Sequence, residues 1–309
     1  MISRPRIRPL QIVGAVILAE LAYLLLFNAA LRLPLTQTLV NMIRPEKFHV
    51  SWDSAWTWYP FRAHAVGVHA NGQSRSQQWE LSAARASGSI SILPLLLKRV
   101  RISDVDAMDV TYRQRPRLKP DQDDSDTIPL FPAMTGRQIQ PAETRPRKQK
   151  RPWHVRLDNV RGHGSHDVWI YEWRAKLAGH ARGGFTYRTR GGPMSMDIKD
   201  AQLQVGRLFL NGNREVFRRG EFTGEFHFAP FVPRENRGLA MLPFLSLDTV
   251  VDVDVDSLVF INLFTQSFEG LTVDGHGEVD GRLRLDRGTL LAGTGLEVEA
   301  GALVLDWLG

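Results

Sequence analysis

The residues with the clearest chemical potential lie at 161–167, Arg-Gly-His-Gly-Ser-His-Asp. His163 and His166, followed by Asp167, are types that ligate zinc or another divalent ion. No third and fourth ligand follows at a recognisable spacing, and a Gly-rich turn between strands accounts for the stretch more simply. His163 and His166 therefore stand only as weak metal candidates, and no cofactor is expected. Asp252, Asp254 and Asp256 offer oxygens of the kind calcium takes, but a calcium loop curls around its ion with glycine at a sharp bend. Here each Asp alternates with Val, which holds the carboxylates along an extended strand. Gly275-His276-Gly277 and Gly293-Thr294-Gly295 lack the following helix that phosphate cradling needs. There is no G-x-S-x-G elbow, H-E-x-x-H pair or Walker loop, and the 309 residues include no Cys, which excludes thiol chemistry. The expectation is a protein without catalysis, unless scattered His, Asp and Ser converge in space.

The elements that would position any site begin with Leu10 to Leu31. This stretch holds one ionisable residue, Glu20, in 22 positions, enough helix to span about 30 Å of hydrocarbon. Arg4, Arg6 and Arg8 precede it without an acidic neighbour, which places the N-terminus in the cytoplasm. A cleaved secretory signal shares the basic start and apolar core. Its core, however, is usually only ~7–15 residues, and Asn28-Ala29-Ala30 is a poor cleavage site. An uncleaved single-pass anchor is expected, with Glu20 either facing a partner in the membrane or tolerated in a lone helix.

Composition then divides the chain into 1–9, a cytoplasmic N-terminus; 10–33, the anchor; 34–112, a short amphipathic helix and a first β segment; 113–152, a flexible linker or loop; and 153–309, a second β segment. The linker reading rests on seven prolines in 113–152, an acidic run at Asp121–Asp126 and a basic run at Arg145–Arg151. The formal charge of +6 owes much to the N-terminal arginines and this linker. Basic residues elsewhere alternate with acidic ones, so no nucleic-acid partner is expected. A translocated chain would meet an oxidising compartment, and without Cys its stability must come from packing. Trp52, Trp56, Trp58 and Tyr59 suit a membrane interface, although packing in a β core is the commoner reason for such a cluster.

The β segments carry period-2 alternation, most plainly in Val251-Asp252-Val253-Asp254-Val255-Asp256 and Leu283-Arg284-Leu285-Asp286. Alternation of this kind puts apolar side chains on one face and charges on the other, as in an antiparallel sheet with one wet face. The fold class expected is mainly β: an N-terminal transmembrane helix, then a long twisted antiparallel sheet, open as a groove or half-barrel, with a few short helices. Pro94 breaks Ile92–Leu97 into a corner, and 230–247 and 258–268 interrupt the strands with helix-like spacing. The strand rhythm is still running at Gly309, so a longer parent or a covering partner is expected there.

Several segments carry a resemblance. The N-terminal anchor, the apolar corner Ile92-Leu-Pro-Leu-Leu-Leu97 and the strand Val100-Arg-Ile-Ser-Asp-Val105 are similar to those of AsmA-like and TamB-like envelope proteins, relatives of the chorein-type bridge proteins. The strand-turn-strand stretch from Gly275 to Thr294 is similar as well. The resemblance touches most of 1–110 and 153–309 through degenerate motifs, and bridging members are much longer. It implies a gutter-like sheet whose apolar face holds acyl chains, standing in the periplasm on the bacterial inner membrane. Function would then be transport of phospholipid or another acyl lipid, or outer-membrane assembly, with other envelope proteins as further partners. Val251, Val253, Val255, Leu283, Leu285, Leu296 and Val298 are the expected lining, unless they form ordinary sandwich core. The alternative is a structural or scaffolding subunit of an inner-membrane complex.

Overall fold

The computed structural model describes residues 9–42, 48–73, 77–91, 93–117, 130–134, 151–211, 214–232, 235–236, 238–262 and 271–307. Arg4, Arg6 and Arg8 lie outside these, as do most of the expected linker and residues 263–268 of the last interruption.

Two helices open the chain, α1 (Pro9–Arg32) and α2 (Pro34–Met42). Pro34 sits at the first position of α2, where its missing N–H costs nothing. Within α1, Gln11–Arg32 is long and apolar enough to cross a bilayer, and none of its residues is fully buried by the rest of the chain.

The strands are β1 (Phe48–Ser51), β2 (Ser54–Trp56), β3 (Arg62–Gln73), β4 (Gln77–Ile90), β5 (Arg99–Pro116), β6 (His154–Ile170) and β7 (Trp173–Arg188). They continue as β8 (Met194–Leu210), β9 (Arg214–Phe231), β10 (Leu245–Val255), β11 (Leu271–Asp286), β12 (Thr289–Leu290) and β13 (Gly295–Trp307). All belong to one sheet in the order β1-β3-β4-β5-β6-β7-β8-β9-β10-β11, with β2 beside β3 and with β12 and β13 beside β11. The two edges do not meet, so the sheet is open. From β1 to β13 there are eleven strands in ten steps of about 4.8 Å, so the face is roughly 48 Å wide.

Pairing is antiparallel everywhere except between β5 and β6, which run parallel. Parallel neighbours need a long crossover, and the excursion between Pro116 and His154 supplies it. The proline-rich stretch is thus an internal crossover within one continuous sheet. It is also shorter than composition indicates, because β5 runs to Pro116. Of its middle, residues 130–134 are described: Pro132 is fully buried, and its carbonyl accepts from Arg115 Nη1 (3.2 Å). Arg115 also donates to Gln78 Oε1 (3.0 Å) on the polar face, so this piece docks there and leaves the apolar face alone.

The bends have local causes. Arg287 (φ 47°) and Gly288 (φ 76°) make a two-residue hairpin of the type that needs positive φ at both central positions. Gly179 has φ +131°, and a Cβ built there would lie 2.1 Å from the Gln202 carbonyl oxygen of the next strand. Glycine is what lets β7 and β8 approach so closely at that kink.

The ends of the sheet differ. The β2–β3 turn (57–61) marks the anchor end, where Ile90 N–H donates to the Phe61 carbonyl (2.9 Å) and His154 N–H to that of Lys98 (3.0 Å). On the same end Phe231 packs against Phe228 (5.5 Å) and Phe244 (5.7 Å), the last from a short 3₁₀ helix, Gly238–Phe244. At the far end Val216, Val255 and Val273 are buried beside a second 3₁₀ helix, Leu258–Ile261. The Val216 carbonyl there accepts from the Asp256 N–H (2.8 Å). These are small plugs, and among the described residues strands contact in strength only the strands beside them, with no second layer over the sheet.

Candidate functional site

Register assigns each side chain to a face, because neighbours along a strand point to opposite sides. One row crosses seven strands on the apolar side: Gly164, Gly179, Leu203, Phe222, Val251, Gly281 and Leu296. A second runs beside it: His166, Leu177, Val205, Gly220, Val253, Val279 and Val298. A third joins Ile198, Phe226, Leu247 and Leu285. The seven residues expected to line a groove therefore share one face, but they differ in burial. Val253 and Val255 are 5% exposed and belong to the far-end core, whereas Leu296 and Val298 are 43% and 62% exposed. Val251, Leu283 and Leu285 are half-buried. Leu203, Phe222 and Phe226 escaped the sequence reading, although the alternation in Glu221-Phe-Thr-Gly-Glu-Phe-His-Phe228 carries the signal.

The opposite face is charged. Arg282 grips Asp248 through both ends of its guanidinium (2.7 and 2.8 Å) and Arg284 adds a contact at 3.2 Å. The hydrogen bonds from Arg282 hold the Asp248 carboxyl below the usual range. Asp254 meets Arg219 (3.4 Å) and Asp256 meets Arg218 (2.9 Å). The alternating carboxylates thus lie along an extended strand, facing their cross-strand neighbours. Asp252 stands between Glu221 and Asp280, and Asp280 beside Glu297, so four carboxylates follow one another across β9, β10, β11 and β13.

The two histidines separate. His163 lies on the charged face, 3.6 Å from Asp106, while His166 turns to the apolar face, where its Nδ1 accepts from the Val110 N–H (3.1 Å). Burial keeps the His166 imidazole below its ordinary value and hence neutral, as an acceptor must be. His166 serves a bulge in β5, and among the described residues no three metal-type side chains gather.

At the far end of β4–β7 the apolar face stops at a polar cluster. Tyr112 OH donates to Gln114 Oε1 (2.6 Å), and Gln114 Nε2 and Gln77 Nε2 both donate to Tyr171 OH. Burial, with Tyr171 adding to it, pushes the Tyr112 hydroxyl up to about 12.

The anchor is joined to the first edge by hydrogen bonds. Trp52 Nε1 donates to the Leu31 carbonyl (3.1 Å), and Asn41 on α2 pairs with both N–H and C=O of Val50 (2.8 Å each). The expected aromatic cluster splits: Trp56 stacks on His64 (5.6 Å), while Trp58 and Tyr59 stay exposed. Glu20 is half-buried on α1 and makes no hydrogen bond or ion pair among the described residues.

No protein-family model matches the chain, and no curated protein matches it.

Proposed function

We propose that this chain is a single-pass, membrane-anchored β-groove protein. It would stand on the periplasmic side of the bacterial inner membrane and carry phospholipid or another acyl lipid on its apolar face. The observation that carries the reading is the roofless apolar sheet. Rows of Leu, Val and Phe, interspersed with Gly and ending at His166 on β6, lie on a face that no second layer covers among the described residues, with Val298 62% exposed. Soluble monomers rarely leave such an area to water, and acyl chains are the cover that needs no complementary shape. Gly164, Gly179, Gly220 and Gly281 interrupt the rows. The anchor reading is supported by the contacts of Tyr23 and Asn28 with Thr57, beside the end of β2.

Purification in mild detergent, followed by solvent extraction and mass spectrometry, tests this. Stoichiometric co-purified phospholipid is expected, and a reproducibly lipid-free sheet overturns carriage.

A second reading, a scaffolding subunit, is favoured by β13. Beyond β11 it pairs with no further strand among the described residues, and it exposes Leu303 and Val304 on opposite faces. Such an edge is a template for another chain. Crosslinking of intact membranes that recovers only self-contacts counts against it.

A further inference from the structure

We propose that two apolar connections at the anchor end, the Trp58–Phe61 turn and the 3₁₀ helix Leu93–Leu97, form a foot that sinks into the phospholipid leaflet on the sheet's side of the membrane. The inference rests on α1 being a membrane anchor, and adds to that reading where the sheet stands relative to the lipid.

The depth follows from helix geometry. Tyr23 OH lies 3.3 Å from Thr57 Oγ1 and donates to the Tyr59 carbonyl (3.4 Å), while Asn28 further along α1 pairs with the Thr57 backbone, so the turn is held between the levels of Tyr23 and Asn28. Tyr23 and Asn28 are 13 and 18 residues past Leu10, about 20 and 27 Å of helix at ~1.5 Å per residue. The hydrocarbon layer is about 30 Å thick. Residues beyond Asn28 must therefore supply the last ~3 Å, and the turn fastened between Tyr23 and Asn28 lies just below the top of the hydrocarbon.

The chemistry of the turn suits that depth. Backbone polar groups inside a bilayer must be satisfied within the protein. Asn28 pairs with both the N–H and C=O of Thr57 (2.9 Å each), and the Thr57 hydroxyl reaches the carbonyls of Tyr59 (2.8 Å) and Arg62 (2.6 Å). What faces outward is apolar or aromatic: Trp58, Tyr59 and Phe61. The Leu93–Leu97 helix lies at the same end, because it follows Ile90, whose N–H bonds to Phe61. Leu96 there is 82% exposed, the highest value among the exposed large apolar side chains. Lys98, Arg99 and Arg188 sit at strand ends on the same side of the sheet, where lipid phosphates would meet them.

The chain has no Cys, so single cysteines give unique labels. Full-length Trp58→Cys, Leu96→Cys, Leu18→Cys (in α1) and Asn211→Cys (at the far end) would be spin-labelled in vesicles of phosphatidylethanolamine and phosphatidylglycerol. Collision with lipid-soluble oxygen and with a water-soluble nickel chelate is then compared. Expected is oxygen-dominated relaxation at 58, 96 and 18 and nickel-dominated relaxation at 211. Water-exposed labels at 58 and 96 with an immersed label at 18 overturn the foot and leave the anchor standing. A water-exposed label at 18 overturns the anchor itself, and the foot with it. Labels at 58 and 96 that are aqueous in these vesicles but shielded in native membranes would point to a protein partner and overturn the lipid assignment.

Discussion

The side chain of Asn28 and the backbone of Thr57 pair reciprocally: Thr57 N–H donates to Asn28 Oδ1 and Asn28 Nδ2 donates to the Thr57 carbonyl, each at 2.9 Å. A helix residue thereby extends the hydrogen bonding of β2, and the polar atoms of an amide within an apolar helix are all used. Asn28 Nδ2 also donates to Leu24 within α1 (2.8 Å). Replacing Asn28 with Leu keeps the helix apolar but leaves two backbone groups of Thr57 unpaired, at about 1–3 kcal/mol each. Hydrogen exchange at 57–62 should accelerate while the protein stays in the membrane fraction. Unchanged protection would show that the junction is held by other contacts.

The expected lining residues should divide by burial. Val298→Glu and Leu296→Glu replace side chains already half in water, so folding should survive while co-purified lipid falls several-fold. Val253→Glu, at a 5% exposed site in the far-end core, should unfold that region, since an unpaired buried carboxylate costs several kcal/mol. Circular dichroism together with lipid extraction reads both. Equal effects from all three would mean that the face is simply core.

Acidification should loosen the centre of the sheet before the carboxylates matter. His166 is held below its ordinary value of 6.5 mainly by burial, and His64 by burial and by Arg62. The unfolded chain therefore takes up protons first, so stability falls as pH drops through and below about 6.5. His166→Gln keeps an acceptor for the Val110 N–H without titrating there, and should flatten the dependence in melts from pH 7.5 to 5. Asp248 has the opposite character. Arg282 lowers its carboxyl, so its contribution is complete above the ordinary carboxylate range and disappears as pH falls through it.

The carboxylate row Glu221-Asp252-Asp280-Glu297 should be a source of instability. Like charges directly opposite on neighbouring strands repel. Asp280→Lys places a cation between two of them and should raise stability by about 0.5 kcal/mol at low ionic strength. The gain should shrink as salt screens the row. A gain that is independent of salt would assign the effect to strand propensity instead.

Alternation in Val251–Asp256 and Leu283–Asp286 was enough to specify strands, their two faces and a one-sided oily sheet, because period 2 in sequence is period 2 in space. Length and apolarity likewise specified a helix able to span a bilayer. Composition could not say that β5 and β6 are parallel neighbours. That depends on where a crossover of more than thirty residues returns, and the proline-rich stretch therefore read as either a linker or a loop. Spacing brought His163 and His166 together as ligands, but register puts them on opposite faces. Nor could local pattern separate Val253 from Val298, since Val253 lies on a strand flanked on both sides and Val298 on the strand at the edge. The bond between Asn28 and Thr57 joins residues 29 apart, and only the folded arrangement of helix against edge decides it.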